Sequence, residues 1–171
     1  MDEPNRDEHL AERLGALLRG RGERCVSAES CTGGGIAWTC TGVAGASDWF
    51  HGAFVTYSLE AKRRMLGVPT ELLERHGAVS EPVARAMAEG ALDAGGVELA
   101  LSVTGVAGPG GGDVLVPVGT VWFGWSLQTG AGRVTETAVQ RLDGGRARVR
   151  AAAVRVALAG AVDLLTGVAR T

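Results

Sequence analysis

Segments of strand character alternate with segments of helical character as far as Thr104, and the pattern then changes to a hairpin. Cys25 to Glu29 reads as a short strand, Gly52 to Tyr57 as a second and Leu99 to Thr104 as a fully apolar third. Between them lie a helix after the turn Ser30-Cys31-Thr32-Gly33-Gly34-Gly35, running to about Thr41, a short helix over Leu59–Leu66, and a helix opened by Ser80-Glu81-Pro82 with Val83, Met87 and Ala91 on its buried face. Val118 to Leu127 and Arg133 to Arg141 are then two long strand-type runs joined through Thr129-Gly130-Ala131-Gly132. Strands separated by helices pair in parallel, whereas a hairpin must pair antiparallel. The chain is therefore expected to be an α/β protein, a three-layer α/β/α single domain with a mixed β-sheet.

The flanks complete this picture. Residues 1–7 read as a frayed polar tail, and residues 8–171 as one domain. Leu10, Leu14, Leu17 and Leu18 share a helical face that ends at Gly20 or Gly22. A last helix is expected from about Gly145 to Leu165, with Val149, Ala153, Val156 and Gly160 on one side. A length of 171 residues suits one hydrophobic core.

Charge and cysteine content exclude several classes of function. A net charge of -2 gives no reason to expect nucleic acid or an acidic membrane as a partner. No apolar run could span a bilayer and Met1 to His9 is polar, so the expected compartment is the cytoplasm. Cys25, Cys31 and Cys40 form an odd set without CxxC spacing, which argues against a disulfide framework and a structural zinc. His9, His51 and His76 form no metal-binding pair, so neither a metal nor another cofactor is expected. The partner expected is a small-molecule nucleotide, and the assembly a homo-oligomer, dimer or trimer.

One of the 17 basic residues is a lysine, Lys62. A compositional drift can convert surface lysines to arginine, but not an amine that must lose its proton, because guanidinium stays charged. Lys62 is thus a candidate for chemistry, against the alternative of survival on a solvated helix. If Ser58 caps its helix, Tyr57 and Lys62 occupy the positions that pack together in a hydrophobic staple. A lysine partly desolvated near a helix N-terminus has its pKa lowered, and a neutral amine can take the proton of a serine hydroxyl.

Ser30 stands where a strand hands over to a helix, so backbone N–H groups from Cys31 to Gly34 are candidate oxyanion donors, and the glycines would let a substrate approach. The competing reading is that Ser30 or Thr32 only caps the helix. Cys31 is the alternative nucleophile, since a helix start lowers a thiol pKa. Thr104-Gly105-Val106-Ala107-Gly108-Pro109-Gly110-Gly111-Gly112 follows an apolar strand, the usual place for a ligand loop, yet lacks a Walker A ending. Arg146 and Arg150 share one face near the start of the last helix, which suggests an anion there, or else plain surface charge.

Taken together, Ala28-Glu29-Ser30-Cys31-Thr32-Gly33-Gly34, Phe54-Val55-Thr56-Tyr57-Ser58 with Glu60-Ala61-Lys62, His76-Gly77-Ala78-Val79-Ser80-Glu81, Gly105-Val106-Ala107-Gly108-Pro109 and Pro117-Val118-Gly119-Thr120-Val121 resemble the C-terminal domain family of the competence/damage-inducible protein CinA. The resemblance runs from about Leu10 to Leu165. It implies a CinA C-terminal-like fold and, because the family includes stand-alone nicotinamide-nucleotide amidases, metal-free conversion of nicotinamide mononucleotide to nicotinic acid mononucleotide and ammonia, in the recycling of pyridine nucleotides. It implies Ser30 as nucleophile, Lys62 as its base, Tyr57 as an assisting group, and Thr104 and Arg146 as groups that contact substrate or support the dyad. Cys31, Thr32, Gly33, Gly34, Gly105 and Gly108 are the expected oxyanion and substrate-binding positions. The N-terminal domain of full-length CinA proteins is absent here, so its pyrophosphatase activity is not expected. Two departures bear on substrate: Val116 stands where many relatives carry lysine, and Gly145 where they often carry aspartate. Three rival functions remain: a non-catalytic nucleotide-binding module, an amidase or esterase for another small substrate, and a structural subunit assembled through an edge at Trp122 and Trp125.

Overall fold

In the computed structural model, which describes residues 6–167, a five-stranded mixed sheet lies between two helical layers. The strands are β1 (Cys25–Glu29), β2 (Phe50–Val55), β3 (Leu99–Gly105), β4 (Thr120–Thr129) and β5 (Gly132–Arg141). Their order is β2-β1-β3-β4-β5, with β2, β1 and β3 parallel and β4 and β5 antiparallel. The helices are α1 (Arg6–Arg21), α2 (Gly35–Thr41), α3 (Leu59–Leu66), α4 (Thr70–His76), α5 (Glu81–Gly95) and α6 (Arg146–Gly167).

The period-two alternation of the strands sorts the core into two halves. Cys25, Leu99, Leu101, Val103, Phe123 and Leu127 face α1, α2 and α6, while Val26, Ala28 and Ala100 face α3, α4 and α5. Each half is a separate buried cluster, which is what makes three layers. Close approach tightens the join: a Cβ on Gly160 of α6 would lie 2.2 Å from the indole of Trp125, whose Nε1 donates to Ala157 O at 2.8 Å.

Several expectations need correction. Arg6 and Asp7, assigned to a frayed tail, open α1, and Asp7 is buried in an ion pair with Arg155 of α6 at 2.6 Å; the rest of that tail lies outside the described residues. The second strand is displaced two residues toward the N-terminus. Glu29 pairs with Val55, after which the Thr56 carbonyl leaves the ladder to accept from Lys62 Nζ and Tyr57 turns outward. The helix α4 was not anticipated, although Pro69 and Gly77 bracket it. Trp125, a candidate for an assembly edge, is core.

The topology fixes where a site can form. From β1 the chain passes to β2 on one side, and from β2 it crosses to β3 on the other. The carboxyl ends of adjacent parallel strands at such a reversal leave a crevice. Ser30, Thr56 and Val106 are the residues that leave these three ends.

Candidate active site

Ser30 is the first residue beyond β1. Its own N–H donates to Val103 O on the neighbouring strand at 3.0 Å, which holds Ser30 to the sheet. The chain then turns sharply, with Gly33 N–H donating to Ser30 O and Gly35 N–H to Thr32 O, each at 3.1 Å. Gly33 and Gly34 adopt φ of 58° and 95°, values that L side chains rarely take. These glycines are required by the backbone of the turn.

Lys62 comes from α3. Ser58 caps that helix, its Oγ accepting from Ala61 N–H at 3.1 Å, so Lys62 falls in the second turn on the buried face. Its side chain is 1% exposed. Nζ lies 2.9 Å from Ser30 Oγ and 2.7 Å from the Thr56 carbonyl oxygen. Burial pushes the Lys62 amine down from 10.5 to about 8, with the nearby Cys31 sulfur pulling weakly the other way. The amine and the hydroxyl, 32 residues apart in sequence, are thus in direct contact.

A cleft of about 250 Å³ opens beside them, lined by Ser30, Cys31, Tyr57, Lys62, Ala78, Val79, Thr104, Gly105, Ala107 and Arg146. Tyr57 is 65% exposed at its mouth, and its hydroxyl accepts from Arg146 Nη2 at 3.4 Å. It stands as a lid and makes no hydrogen bond to Lys62. Thr104 is buried and donates to Ala78 O at 2.7 Å, which fixes the wall made by Ala78 and Val79. Gly105 is a glycine because a Cβ there would meet Val121 Cγ2 at 2.7 Å and Thr120 O at 2.9 Å. Gly108 lies outside the lining and contributes through its carbonyl, which accepts from Arg146 Nη1 at 2.8 Å.

The oxyanion donors expected from Cys31 to Gly34 are fewer than the sequence suggests. Gly33 N–H serves Ser30 O, and Gly34 N–H donates to Glu29 Oε2 at 3.0 Å. Among the described residues, the amides of Cys31 and Thr32 meet no oxygen acceptor. Cys31 lines the cleft, whereas Thr32 lines a second hollow between α2 and α6. Of these two residues only Cys31 borders the cleft, so among the amides expected as oxyanion donors its N–H is the one beside the cleft without an oxygen partner. Burial pushes the Cys31 thiol up to about 11, against the smaller opposing pulls of its own amide, Lys62 and Arg150, which disfavours the thiolate that a nucleophilic cysteine needs.

Two contributors escaped sequence reasoning. Glu29, fully buried at the end of β1, accepts from Ser27 Oγ, Thr32 Oγ1 and the N–H groups of Gly34, Ile36 and Ala37 at 2.8–3.0 Å. It occupies the amides that a strand-to-helix turn would otherwise offer to an anion. Arg150 was paired with Arg146 as an anion contact, but its Nε donates to Cys31 O and its Nη2 to Thr32 O, both at 3.0 Å. Of these two arginines, Arg146 is the one that lines the cleft. No group of three or more His, Cys, Asp or Glu among the described residues could hold a metal ion, and no helix among them is long and apolar enough to cross a membrane.

Comparison with known proteins agrees with this geometry. The family model for the CinA C-terminal domain matches residues 7–165. A nicotinamide-nucleotide amidohydrolase PncC of Escherichia coli K12 is 52% identical over 123 residues, covering 72% of this chain and 74% of that protein. A protein of the same name from Pseudomonas putida is 47% identical over 157 residues, covering 92% and 96%. Among solved structures, a CinA superfamily protein from Klebsiella pneumoniae superposes with a TM-score of 0.88 at 38% identity, covering 95% of this chain and 99% of that one. A competence/damage-inducible protein from Agrobacterium tumefaciens gives 0.87 at 41%, covering 97% and 99%. With the family model matching residues 7–165 and the Pseudomonas putida relative covered over 96% of its own length, the chain belongs to the CinA C-terminal domain family.

Proposed function

We propose that the protein is a nicotinamide-nucleotide amidase that hydrolyses nicotinamide mononucleotide through an acyl-enzyme on Ser30. The observation that carries this reading is the 2.9 Å contact between a buried amine and a hydroxyl at the mouth of a cleft. The names of the relatives from Escherichia coli and Pseudomonas putida support the amide as substrate.

In this mechanism neutral Lys62 takes the Ser30 proton as Oγ attacks the carboxamide carbon. The carbonyl oxygen becomes an oxyanion against the Cys31 N–H. The tetrahedral centre collapses, the C–N bond breaks, and the Lys62 ammonium returns its proton to the leaving nitrogen, which departs as ammonia. Water then attacks the ester carbon, giving up a proton to Lys62; the ester C–O bond breaks as the Lys62 ammonium returns that proton to Ser30 Oγ, which releases nicotinic acid mononucleotide and restores the hydroxyl and the neutral amine. Arg146 is the cation positioned for the phosphate. The cleft is smaller than the ~300–1,000 Å³ usual for drug-sized ligands, so it takes the nicotinamide end and leaves the phosphate at the rim, where Arg146 lies.

Ammonia release from nicotinamide mononucleotide tests the reading. Ser30→Ala and Lys62→Arg should each abolish turnover, the latter because guanidinium holds its proton. Undiminished turnover in either variant removes the dyad. A different amide substrate is favoured by one feature, the apolar tip of the loop at Val114 and Leu115, 95% and 90% exposed, next to Val116. A panel of small amides separates the two.

A further inference from the structure

The turn that carries the nucleophile belongs to neither β1 nor α2. Residues 30–34 form no regular hydrogen-bonded ladder, and two of them are glycines in the left-handed region. A segment of that kind has no conformation of its own to hold, so its geometry depends on what grips it from outside.

It is gripped from two sides. From within, the Glu29 carboxylate collects Thr32 Oγ1 and the Gly34, Ile36 and Ala37 amides. From without, Arg150 crosses from α6 and donates to two successive carbonyls, those of Cys31 and Thr32. Its guanidinium lies so close over the turn that a Cβ on Gly33 would sit 3.3 Å from Nη2. Peptide units are planar and trans, so fixing a carbonyl also fixes the opposite direction of the N–H across the bond. The Ser30 carbonyl is held by Gly33 N–H, which directs the Cys31 N–H the other way. That arrangement stands only while the next two carbonyls stay where Arg150 holds them.

We propose that Arg150 is a positioning residue for the reaction: its two-carbonyl clamp holds the 30–33 turn so that the Cys31 N–H serves the oxyanion while Ser30 Oγ stays on Lys62. The proposal rests on the amidase reading above and deepens it. Arg150 makes no hydrogen bond to Ser30 Oγ and does not itself line the cleft; it acts through the backbone of Cys31 and Thr32. A fork of two donors is needed, because one ammonium cannot span two carbonyls with the same geometry.

The test is steady-state ammonia release from nicotinamide mononucleotide by the full chain and by Arg150→Met and Arg150→Lys, followed through pH 8. Arg150 is an exposed side chain, and urea unfolding of each variant establishes the folded fraction. The expected result is a fall in kcat of about 10²-fold in Arg150→Met, the scale of a misplaced reacting group. KM and the midpoint of the pH profile should stay put, and Arg150→Lys should recover only part of the loss. A tie that merely joins α6 to the turn would lower the urea midpoint and leave kcat of the folded fraction intact, which overturns the proposal. So would full recovery by lysine, or a kcat loss accompanied by a matching shift of the pH midpoint. Absence of turnover in the unsubstituted protein refutes the amidase reading itself, an outcome distinct from wild-type turnover with no effect at Arg150.

Discussion

Replacing Lys62 with methionine should change stability in a pH-dependent way, the variant faring best against the wild type near neutral pH and losing ground progressively as the pH rises. The amine titrates at about 8 when folded and near 10.5 when unfolded. Between these values the unfolded chain binds more protons than the folded one, so wild-type stability climbs with pH across the window. Below about 8 the folded state carries the full penalty of a buried ammonium. At about 1.4 kcal/mol for each tenfold change in proton affinity, the fall from 10.5 to about 8 amounts to roughly 3 kcal/mol. Methionine has a similar unbranched shape and no charge to desolvate. It also leaves the Thr56 carbonyl without its donor, a cost of about 1–3 kcal/mol that does not vary with pH. The difference between the two proteins is therefore informative through its slope. Urea unfolding of both, at about pH 7 and about pH 10, should show the wild type gaining roughly 2–3 kcal/mol on the variant. A pH-independent difference would mean that the folded chain does not penalise the ammonium, and the base assigned to Ser30 would lose its basis.

Other expectations follow from the same contacts. The amidase kcat/KM should rise with unit slope and level off above about 8, where Lys62 becomes neutral; a flat profile through that region excludes Lys62 as the base. Glu29→Gln keeps the shape but sets an amide NH₂ among donors from Gly34, Ile36 and Ala37, and should cost about 3 kcal/mol or more in urea unfolding. Gly160→Ala puts a methyl 2.2 Å from the Trp125 indole, and an overpacking cost of about 1–3 kcal/mol should exceed the ~1 kcal/mol that alanine gains in a helix, lowering the unfolding midpoint. Alkylation of Cys31 by iodoacetamide should be slow at neutral pH and quicken only toward pH 11; rapid labelling at pH 7 would reinstate it as a nucleophile.

The sequence exposed the pieces of this site more readily than their connections. Ser30 was legible as a candidate because it stands where a strand hands over to a helix, although the same position suits a helix cap, and Lys62 because one lysine survived among 17 basic residues. The mixed sheet was legible from the Thr129–Gly132 turn, which can only join antiparallel neighbours. Glu29 was not, since nothing local says whether the last residue of a buried strand turns its carboxylate inward to cap the next helix. Arg150 was misread because i,i+4 spacing places it beside Arg146 on α6 but is silent about a turn 118 residues away. The staple positions of Tyr57 and Lys62 likewise say nothing of the polar partners that each finds elsewhere. The staple rule sees one helix end, whereas the cleft draws the lysine inward and Arg146 holds the phenol outward.

The Thr56 carbonyl gives the buried amine its direction. A neutral amine has two N–H donors and one lone pair, and only the lone pair can accept a proton from Ser30. With a single acceptor beside it, the amine could present an N–H to the serine as readily as its lone pair. The carbonyl at 2.7 Å engages one N–H, so the serine oxygen at 2.9 Å meets only the second N–H or the lone pair, and the lone pair is the one that can accept its proton once the amine is neutral. Thr56 is free to supply that carbonyl because β2 ends one residue earlier, at Val55. In the proposed mechanism the strand end that sequence periodicity misplaced by two residues is therefore a functional position: continuing the ladder to Tyr57 would return the carbonyl to the sheet and leave the buried Lys62 amine without that acceptor.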